Sequence, residues 1–220
     1  LGETYLDERD FDAAIAHFET AERASDAPAI ANNLATALLR KGDWIAARRK
    51  IEATLDKHPD YTLGWHTLGL TLIDGGQFVA ACEAFRQALA REPAFRAARY
   101  GLGRALKQLG AYEEALEVYE PMLSEATDLE VLKIELAYVL ERIGRYEEAV
   151  AHLREALRQT PDVAPAWNLL ALCLLSLGQT SDGLAACEKA LSLDPSSAVA
   201  RVLMVRAHWE RENFETALGL

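Results

Sequence analysis

A repeat of 34 residues is the feature of this sequence that most restricts its fold. When the sequence is shifted against itself by that length, an aromatic residue recurs two positions after an aligned glycine in most copies, and a small residue follows three positions later. Self-similarity at a fixed period predicts a stack of helical hairpins rather than a globular domain. The glycines of the column are Gly42, Gly76, Gly110, Gly144 and Gly178.

The period divides the chain into complete copies with a fragment at each end. Both halves of a copy carry apolar residues at helical spacing, which predicts a pair of antiparallel helices. We expect a single solenoid domain over residues 1–220, because one hairpin cannot bury its apolar face alone. Its predicted parts are a partial repeat 1–27, repeats 28–61, 62–95, 96–129, 130–163 and 164–197, and a partial repeat 198–220.

The recurring columns have physical reasons. Glycine allows the left-handed backbone that ends a first helix, and small residues such as Ala81 and Ala115 let two helix axes approach closely. Proline closes most copies because it cannot continue a helix interior. Pro121 instead lies inside a predicted second helix, so we expect it to kink or shorten that helix. A tolerated local variation and a functional bend are both open readings of Pro121.

The segment WHTLGLTL, which begins at Trp65, resembles the Trp-x-x-Leu-Gly-x-x-Tyr pattern of the tetratricopeptide repeat (TPR) family, except that Leu72 replaces the tyrosine. Ala81, Phe85 and Pro93 match the rest of that pattern. The resemblance extends over essentially the whole chain and implies an all-α, right-handed superhelix, or α-solenoid, of antiparallel helix pairs. Tryptophan recurs in its column only at Trp167; the other copies from residue 96 onward hold Arg99, Lys133 and Arg201.

Composition excludes several classes of partner. The chain has 34 acidic and 23 basic residues and a net charge of -11, so its field repels phosphate, and we expect no nucleic-acid binding. The longest apolar stretch begins at Leu169 and is about half of a membrane span, so we expect no membrane insertion. The scattered Cys82, Cys173 and Cys187 indicate neither a disulfide framework nor a metal site, and they favour a reducing, cytoplasmic setting.

No catalytic pattern is present, so we predict neither an enzyme nor a cofactor. The five histidines fall in different copies, without a metalloprotease, nucleophile-elbow or phosphate-loop motif. We expect structural roles for the cysteines, which behave as small hydrophobes when buried. The same holds for every histidine except His66.

The resemblance implies that first helices line a concave groove, and the first-helix columns expected to face it differ from copy to copy. First helices also carry a small basic excess, whereas second helices carry the acidic charge, which we expect to form a solvated convex face. We therefore predict a protein–protein interaction scaffold that binds a protein or peptide segment, with acidic residues, in the groove. The predicted contact residues are Asn32, Arg40, His66, Tyr100, Arg104, Lys107, Tyr138, Arg142 and Asn168.

Other functions compete with this prediction. The repeats could be the recognition or oligomerisation arm of a larger enzyme, such as a glycosyl- or sulfotransferase. Self-association through the solenoid ends is a third possibility, because the period starts a second helix at Phe214 shortly before the chain ends. We expect Met204, Phe214, Ala217 and Leu218 to form an exposed apolar edge there. A carboxylate clamp for chaperone tails is disfavoured, since its lysine columns hold Asn32, His66 and Tyr100 here.

Overall fold

The computed structural model describes the backbone of residues 2–124 and 129–218, and the side chains of residues 2–124 and 130–209. Within these limits the chain contains α-helices and one 3₁₀ helix and has no strand, which confirms the all-α prediction. The helices are α1 (Gly2–Asp7), α2 (Phe11–Ala24), α3 (Pro28–Lys41), α4 (Trp44–Lys57), α5 (Thr62–Asp74), α6 (Phe78–Arg91), α7 (Arg96–Leu109), α8 (Tyr112–Tyr119), α9 (Leu129–Arg142), α10 (Tyr146–Gln159), α11 (Ala164–Ser176), α12 (Thr180–Leu193) and α13 (Ala198–Leu218).

The chain divides into two compact units, Leu1–Val118 and Tyr119–Leu220. In the first unit α3 packs on α4 and α5 on α6, and α4 and α6 then pack on the first helices of the following pairs, α5 and α7. In the second unit α9 packs on α10 and α11 on α12, and α12 packs on α13. Each unit is thus built from stacked helical hairpins.

The glycine column ends the first helices in the predicted way. All five of its members have positive φ values, between 69° at Gly76 and 94° at Gly42. The backbone N–H of Gly110, for example, donates to the carbonyl of Lys107, and the following N–H of Ala111 donates to Leu106. This left-handed turn satisfies carbonyls that the helix end would otherwise leave unpaired, and only glycine adopts it without strain.

Close packing in the first unit centres on the ring of Phe85, which lies on α6 and is fully buried. A Cβ atom added at Gly69 on α5 would lie 2.6 Å from this ring, and one added at Gly101 on α7 would lie 2.4 Å from it. Ala81 and Ala115, in the predicted small column, are also fully buried. The small residues therefore permit the close approach of helices that the sequence predicted.

In the second unit, small residues also allow the helices to pack closely. Ala149 and Ala171 are fully buried. A Cβ atom added at Gly183 on α12 would lie 2.7 Å from the side chain of Leu175 on α11. Glycine replaces the usual alanine here because Leu175 occupies the space between the two helices.

Pro121 shortens its helix, as predicted. The α-helical part of the segment ends at Tyr119, and the 3₁₀ helix Glu120–Ser124 follows it. Proline has no N–H to donate to the preceding turn, and its ring clashes with the carbonyl there. The hydroxyl of Ser124 donates to the carbonyl of Pro121 at 2.9 Å, which satisfies one acceptor in the tighter turn.

The tryptophan column has a role that the sequence did not reveal. The indole N–H of Trp65 donates to the carbonyl of Pro59, six residues earlier, at 2.8 Å. Trp167 makes the same bond at 2.7 Å. In two of the copies without tryptophan, the guanidinium groups of Arg99 and Arg201 donate to the equivalent proline carbonyls at 2.8 Å. Tryptophan and arginine therefore hold the turn between repeats in the same way.

The last helix differs from the prediction. α13 runs without a break from Ala198 to Leu218, so the expected second helix starting at Phe214 is wrong. Glu212 stands in the glycine column, where the left-handed turn is strained for a residue with a Cβ atom, although Arg9 adopts that turn after α1 with a φ of 62°. Met204 is half-buried. The side chains of Phe214, Ala217 and Leu218 lie outside the part that the structure describes.

Candidate functional site

In the first unit, the clearest group of predicted contact residues lies on α7. Tyr100, Arg104 and Lys107 occupy positions i, i+4 and i+7, which places them on one stripe of the helix. All three are half-buried, whereas Leu102 and Leu106 between them are buried in the core. The stripe thus combines one phenol and two cations on a surface that a partner can reach.

His66 on α5 lies in an aromatic environment. Its ring centroid is 5.1 Å from that of Phe95 and 5.9 Å from that of Phe85. Burial lowers the pKa of His66, because the imidazolium form would lose its hydration among these rings. His66 therefore serves partly as a packing residue and meets any partner as a neutral ring.

Asn32 and Arg40 are separated from the α7 stripe. Both lie on α3, where Asn32 is only 3% exposed and Arg40 is exposed in the last turn. The side-chain oxygen of Asn32 is buried, and no donor to it exists among the described residues. Asn32 therefore offers very little surface for direct contact, whereas Arg40 presents its charge beside the C-terminal end of the helix.

In the second unit, Tyr138 and Arg142 form a pair four residues apart on α9. The phenol of Tyr138 is 39% exposed and Arg142 is exposed. Asn168 lies on α11, where its amide donates to the hydroxyl of Ser197 at 3.2 Å. That hydroxyl accepts the backbone N–H of Ala200 and so caps the start of α13. The amide of Asn168 thus has a structural contact that sequence reasoning missed.

The second helices are joined by ion pairs. In the first unit, Lys50 lies 2.8 Å from Glu22. In the second unit, Arg145 contacts Glu148 at 2.6 Å and Glu120 at 3.9 Å, and its hydrogen bonds lower the pKa of the Glu148 carboxyl. Part of the acidic charge assigned to a solvated face is therefore used between neighbouring repeats. The ion pairs 28 residues apart include Arg86–Glu114 and Arg154–Asp182.

The cysteines occupy packing positions. Cys82, Cys173 and Cys187 are free and buried. Burial raises the pKa of the Cys173 thiol to about 12, so it stays protonated at neutral pH. Among the described side chains, no group of three or more histidine, cysteine or acidic residues is arranged to hold a metal ion. The predicted structural role of the cysteines agrees with this burial.

The family comparison agrees with the geometry. A model of the family described as tetratricopeptide repeat matches residues 1–62, 66–128 and 134–198. No curated protein matches the chain. Across the part of the chain that the structure describes, no helix is both long and apolar enough to cross a membrane.

Solved structures with the same fold share little sequence with the chain. MamA, residues 41 to the end, from Desulfovibrio magneticus RS-1 is 18% identical, with a TM-score of 0.72 over 78% of this chain and 97% of that one. YrrB, described as a TPR protein with an unusual peptide-binding site, is 17% identical, with a TM-score of 0.71 over 83% and 95%. The Cut9–Hcn1 hetero-tetramer of the APC/C gives 16% identity and a TM-score of 0.78 over 94% and 41%. At these identities the likeness shows the fold alone.

Proposed function

Because this chain belongs to the tetratricopeptide repeat family, we propose that it is a protein-binding scaffold. Its ligand is a peptide or protein segment with acidic residues, bound on the face formed by the first helices. The observation that carries the proposal is the α7 stripe of Tyr100, Arg104 and Lys107, which is accessible although the neighbouring Leu102 and Leu106 are buried in the core.

The chemistry of the stripe supports an acidic segment. A tyrosine has few rotatable bonds and combines an apolar ring with a polar tip, so it anchors a partner at low entropic cost. Arg104 and Lys107 can donate charge-assisted hydrogen bonds to carboxylates. Lys107 lies one turn beyond Arg104 along the helix, which suits an extended segment that carries more than one acidic residue.

The second unit repeats this combination. Tyr138 is followed four residues later by Arg142, just as Tyr100 is followed by Arg104. Each unit can therefore hold an aromatic and a carboxylate contact of its own. Arg40 and His66 extend the proposed surface of the first unit, with Arg40 as an additional cation, and Asn168 extends that of the second, whereas the buried Asn32 adds almost no contact area.

Similar proteins support a binding function. YrrB is described as having a peptide-binding site, and Cut9 is part of a complex with Hcn1. In this chain the residues that hold the hairpins together recur from copy to copy, while the residues on the first-helix face differ. A surface that packing does not restrict is free to be shaped for a ligand.

The experiment begins with peptides selected from a display library on the immobilised protein, whose affinities are then measured by fluorescence anisotropy. Tyr100→Ala with Arg104→Ala should weaken binding at least about tenfold, since an aromatic anchor and a charge pair are lost. Tyr138→Ala with Arg142→Ala tests the second unit in the same way. Affinity should also fall as salt rises.

The control is Glu113→Ala with Glu117→Ala, which changes two exposed carboxylates on α8. This pair should bind like the wild type. If the control loses binding while both tyrosine–arginine variants keep it, the ligand does not lie on the first-helix face and the proposal is wrong. Circular dichroism melts of all variants show that lost binding does not come from unfolding.

Self-association is a second candidate, favoured by the apolar surface of α13. Val202, Val205 and Trp209 are 67%, 70% and 67% exposed, and exposed apolar patches mark interaction sites. Val202→Glu with Val205→Glu should shift the mass measured by light scattering toward the monomer. The matched control is Val79→Glu on α6, where the valine is 69% exposed. An unchanged mass in the double variant would exclude this face.

A further inference from the structure

The second unit contains a cleft of about 540 Å³ between α10 and α12, with α11 at its floor. This volume lies within the range of roughly 300–1,000 Å³ that is usual for ligand-binding pockets. Sequence reasoning did not predict it. The cleft is lined by Arg154, Leu157, Arg158, Trp167, Leu170, Leu174, Asp182, Ala185, Ala186 and Lys189.

Short side chains on α12 open the cleft. Ala185 is exposed and stands where three of the earlier repeats carry Arg49, Glu83 and Glu117 and the repeat before it carries Ala151. A long side chain at that position would cover the floor. The absence of one leaves the ring of Trp167 within reach of a ligand, beside Leu170 and Leu174.

A hydrogen bond fixes the ring of Trp167 in the wall of the cleft, where a ligand can stack on it. Its indole N–H donates to the carbonyl of Pro161 at 2.7 Å, which fixes the orientation of the ring. In the equivalent repeat, the ring of Trp65 is covered by the guanidinium group of Arg91, 5.1 Å from the ring centroid. Leu193 replaces that arginine in the repeat of Trp167. The ring of Trp167 thus lacks the internal cation that Trp65 has.

The rim of the cleft is basic in an otherwise acidic chain. Arg154 on α10 forms an ion pair with Asp182 on α12 at 3.0 Å. Arg158 and Lys189 lie on the same rim, and neither makes an ion pair in the part of the chain that the structure describes. Arg158 does help to lower the pKa of the Glu155 carboxyl, although that group is held mainly by Lys133. Two cationic groups are therefore available to external carboxylates.

The cleft and the proposed first-helix face lie on different sides of α11. Trp167, Leu170 and Leu174 form one stripe of the helix. Asn168 and Leu172 belong to another, about 150° away around the axis at 100° per residue. A ligand in the cleft would therefore not compete directly with one bound beside Asn168.

We propose that this cleft is a second docking site, which binds an acidic peptide segment of a partner protein through one phenylalanine anchor. The phenylalanine ring packs against Trp167 above the apolar floor, because offset aromatic pairs add to the gain from buried area. Glutamates on either side of it bind Arg158 and Lys189 through charge-assisted hydrogen bonds. Charge complementarity determines that the bound peptide is acidic, since a basic peptide would be repelled by Arg158 and Lys189.

The test uses a fluorescein-labelled peptide with the sequence Glu-Glu-Phe-Glu-Glu and fluorescence anisotropy. Ala185→Trp fills the cleft from an exposed position and should weaken binding at least about tenfold. Its matched control is Ala151→Trp, which makes the same change at the equivalent exposed position of α10, 34 residues earlier. This control should bind within about twofold of the wild type. Peptides with alanine for phenylalanine, or lysine for glutamate, should bind at least about tenfold more weakly.

A second variant, Arg158→Glu with Lys189→Glu, changes only the rim and should also lose at least about tenfold in affinity. Tyr100→Ala with Arg104→Ala should leave this peptide's affinity unchanged, which separates the cleft from the first-helix face. The proposal is overturned if the peptide does not bind the wild type at millimolar concentration, or if Ala185→Trp binds it normally. It is also overturned if Ala151→Trp weakens binding as much as Ala185→Trp.

Discussion

Replacing Gly101 by alanine should destabilise the protein, although alanine is the better helix former. On propensity alone, a change from glycine to alanine inside α7 should gain about 1 kcal/mol. The added Cβ atom, however, would lie 2.4 Å from the nearest carbon of the Phe85 ring. Carbon atoms prefer separations of roughly 3.5–4.0 Å, so either the ring or the helix must move by about 1 Å.

The ring has little room to move. Phe85 is fully buried, and a Cβ atom at Gly69 on α5 would clash with the same ring atoms, at 2.6 Å. Overpacking of such a site costs on the order of 1–3 kcal/mol. We therefore expect the overpacking of Gly101→Ala to offset the propensity gain and to leave a net loss of roughly 1 kcal/mol or more.

Thermal unfolding followed by circular dichroism measures this loss. For a chain of this size, 1 kcal/mol corresponds to a change of about 2–4 °C in melting temperature. Phe85→Leu should weaken the effect, because the smaller side chain makes room for the new methyl group. In a double-mutant cycle the two changes should therefore be less destabilising together than the sum of each alone. A Gly101→Ala variant that melts at or above the wild-type temperature would refute the reasoning.

Three further predictions follow from the packing. Ala81→Leu or Ala115→Leu should lower the free energy of unfolding by about 1–3 kcal/mol through overpacking, measured by urea denaturation. Burial lowers the pKa of His66, so the folded protein favours the neutral imidazole. The contribution of His66 to the free energy of unfolding is therefore fully present above the unfolded pKa of about 6.5 and is lost as the pH falls through the lower folded pKa. The wild-type melting temperature should therefore fall more than that of His66→Gln between pH 7 and pH 5. Cys173, with a pKa of about 12, should resist thiol reagents in the native state at pH 8 and react after unfolding, as mass spectrometry would show.

The fold could be predicted from the sequence because a few columns control it. The glycine column adopts positive φ at five positions, and its spacing therefore marks the turn within each hairpin from α3 to α12. The shortening of the helix at Pro121 was equally predictable, because the missing N–H of proline acts on its own helical turn. Helix bounds follow from such local constraints, and these are visible in any single copy of the repeat.

Other features depend on neighbours in space. The equivalence of Arg99 and Trp65 appears only when both are seen donating to a proline carbonyl, because their side chains share no obvious chemistry in a sequence. The cleft beside Ala185 depends on the sizes of side chains from three helices. Glu212 in the glycine column disfavours a left-handed turn in α13, but the aromatic spacing at Phe214 pointed to another hairpin.

For the predicted contact residues, exposure could be predicted in some cases, whereas burial by neighbouring repeats could not. Exposure of Arg40, Tyr138 and Arg142 agrees with the first-helix periodicity. The near-complete burial of Asn32 could not be anticipated, because the same column holds the more accessible Tyr100 in another copy. A column specifies the direction of a side chain, while the neighbouring repeats decide how much of it is covered.

The ion pairs between second helices have a consequence for the order of the repeats. Arg86 contacts Glu114, whereas the equivalent junction between Glu120 and Glu148 brings two acids together and relies on Arg145 to contact both. The copies are alike in shape but differ in the charges that they present to their neighbours. Deleting the copy 62–95, for example, would bring Glu52 opposite Glu114, where Ala111 stands in place of the bridging arginine. The copies are therefore not freely interchangeable. The charges at the junctions therefore restrict the order in which the repeats can be arranged.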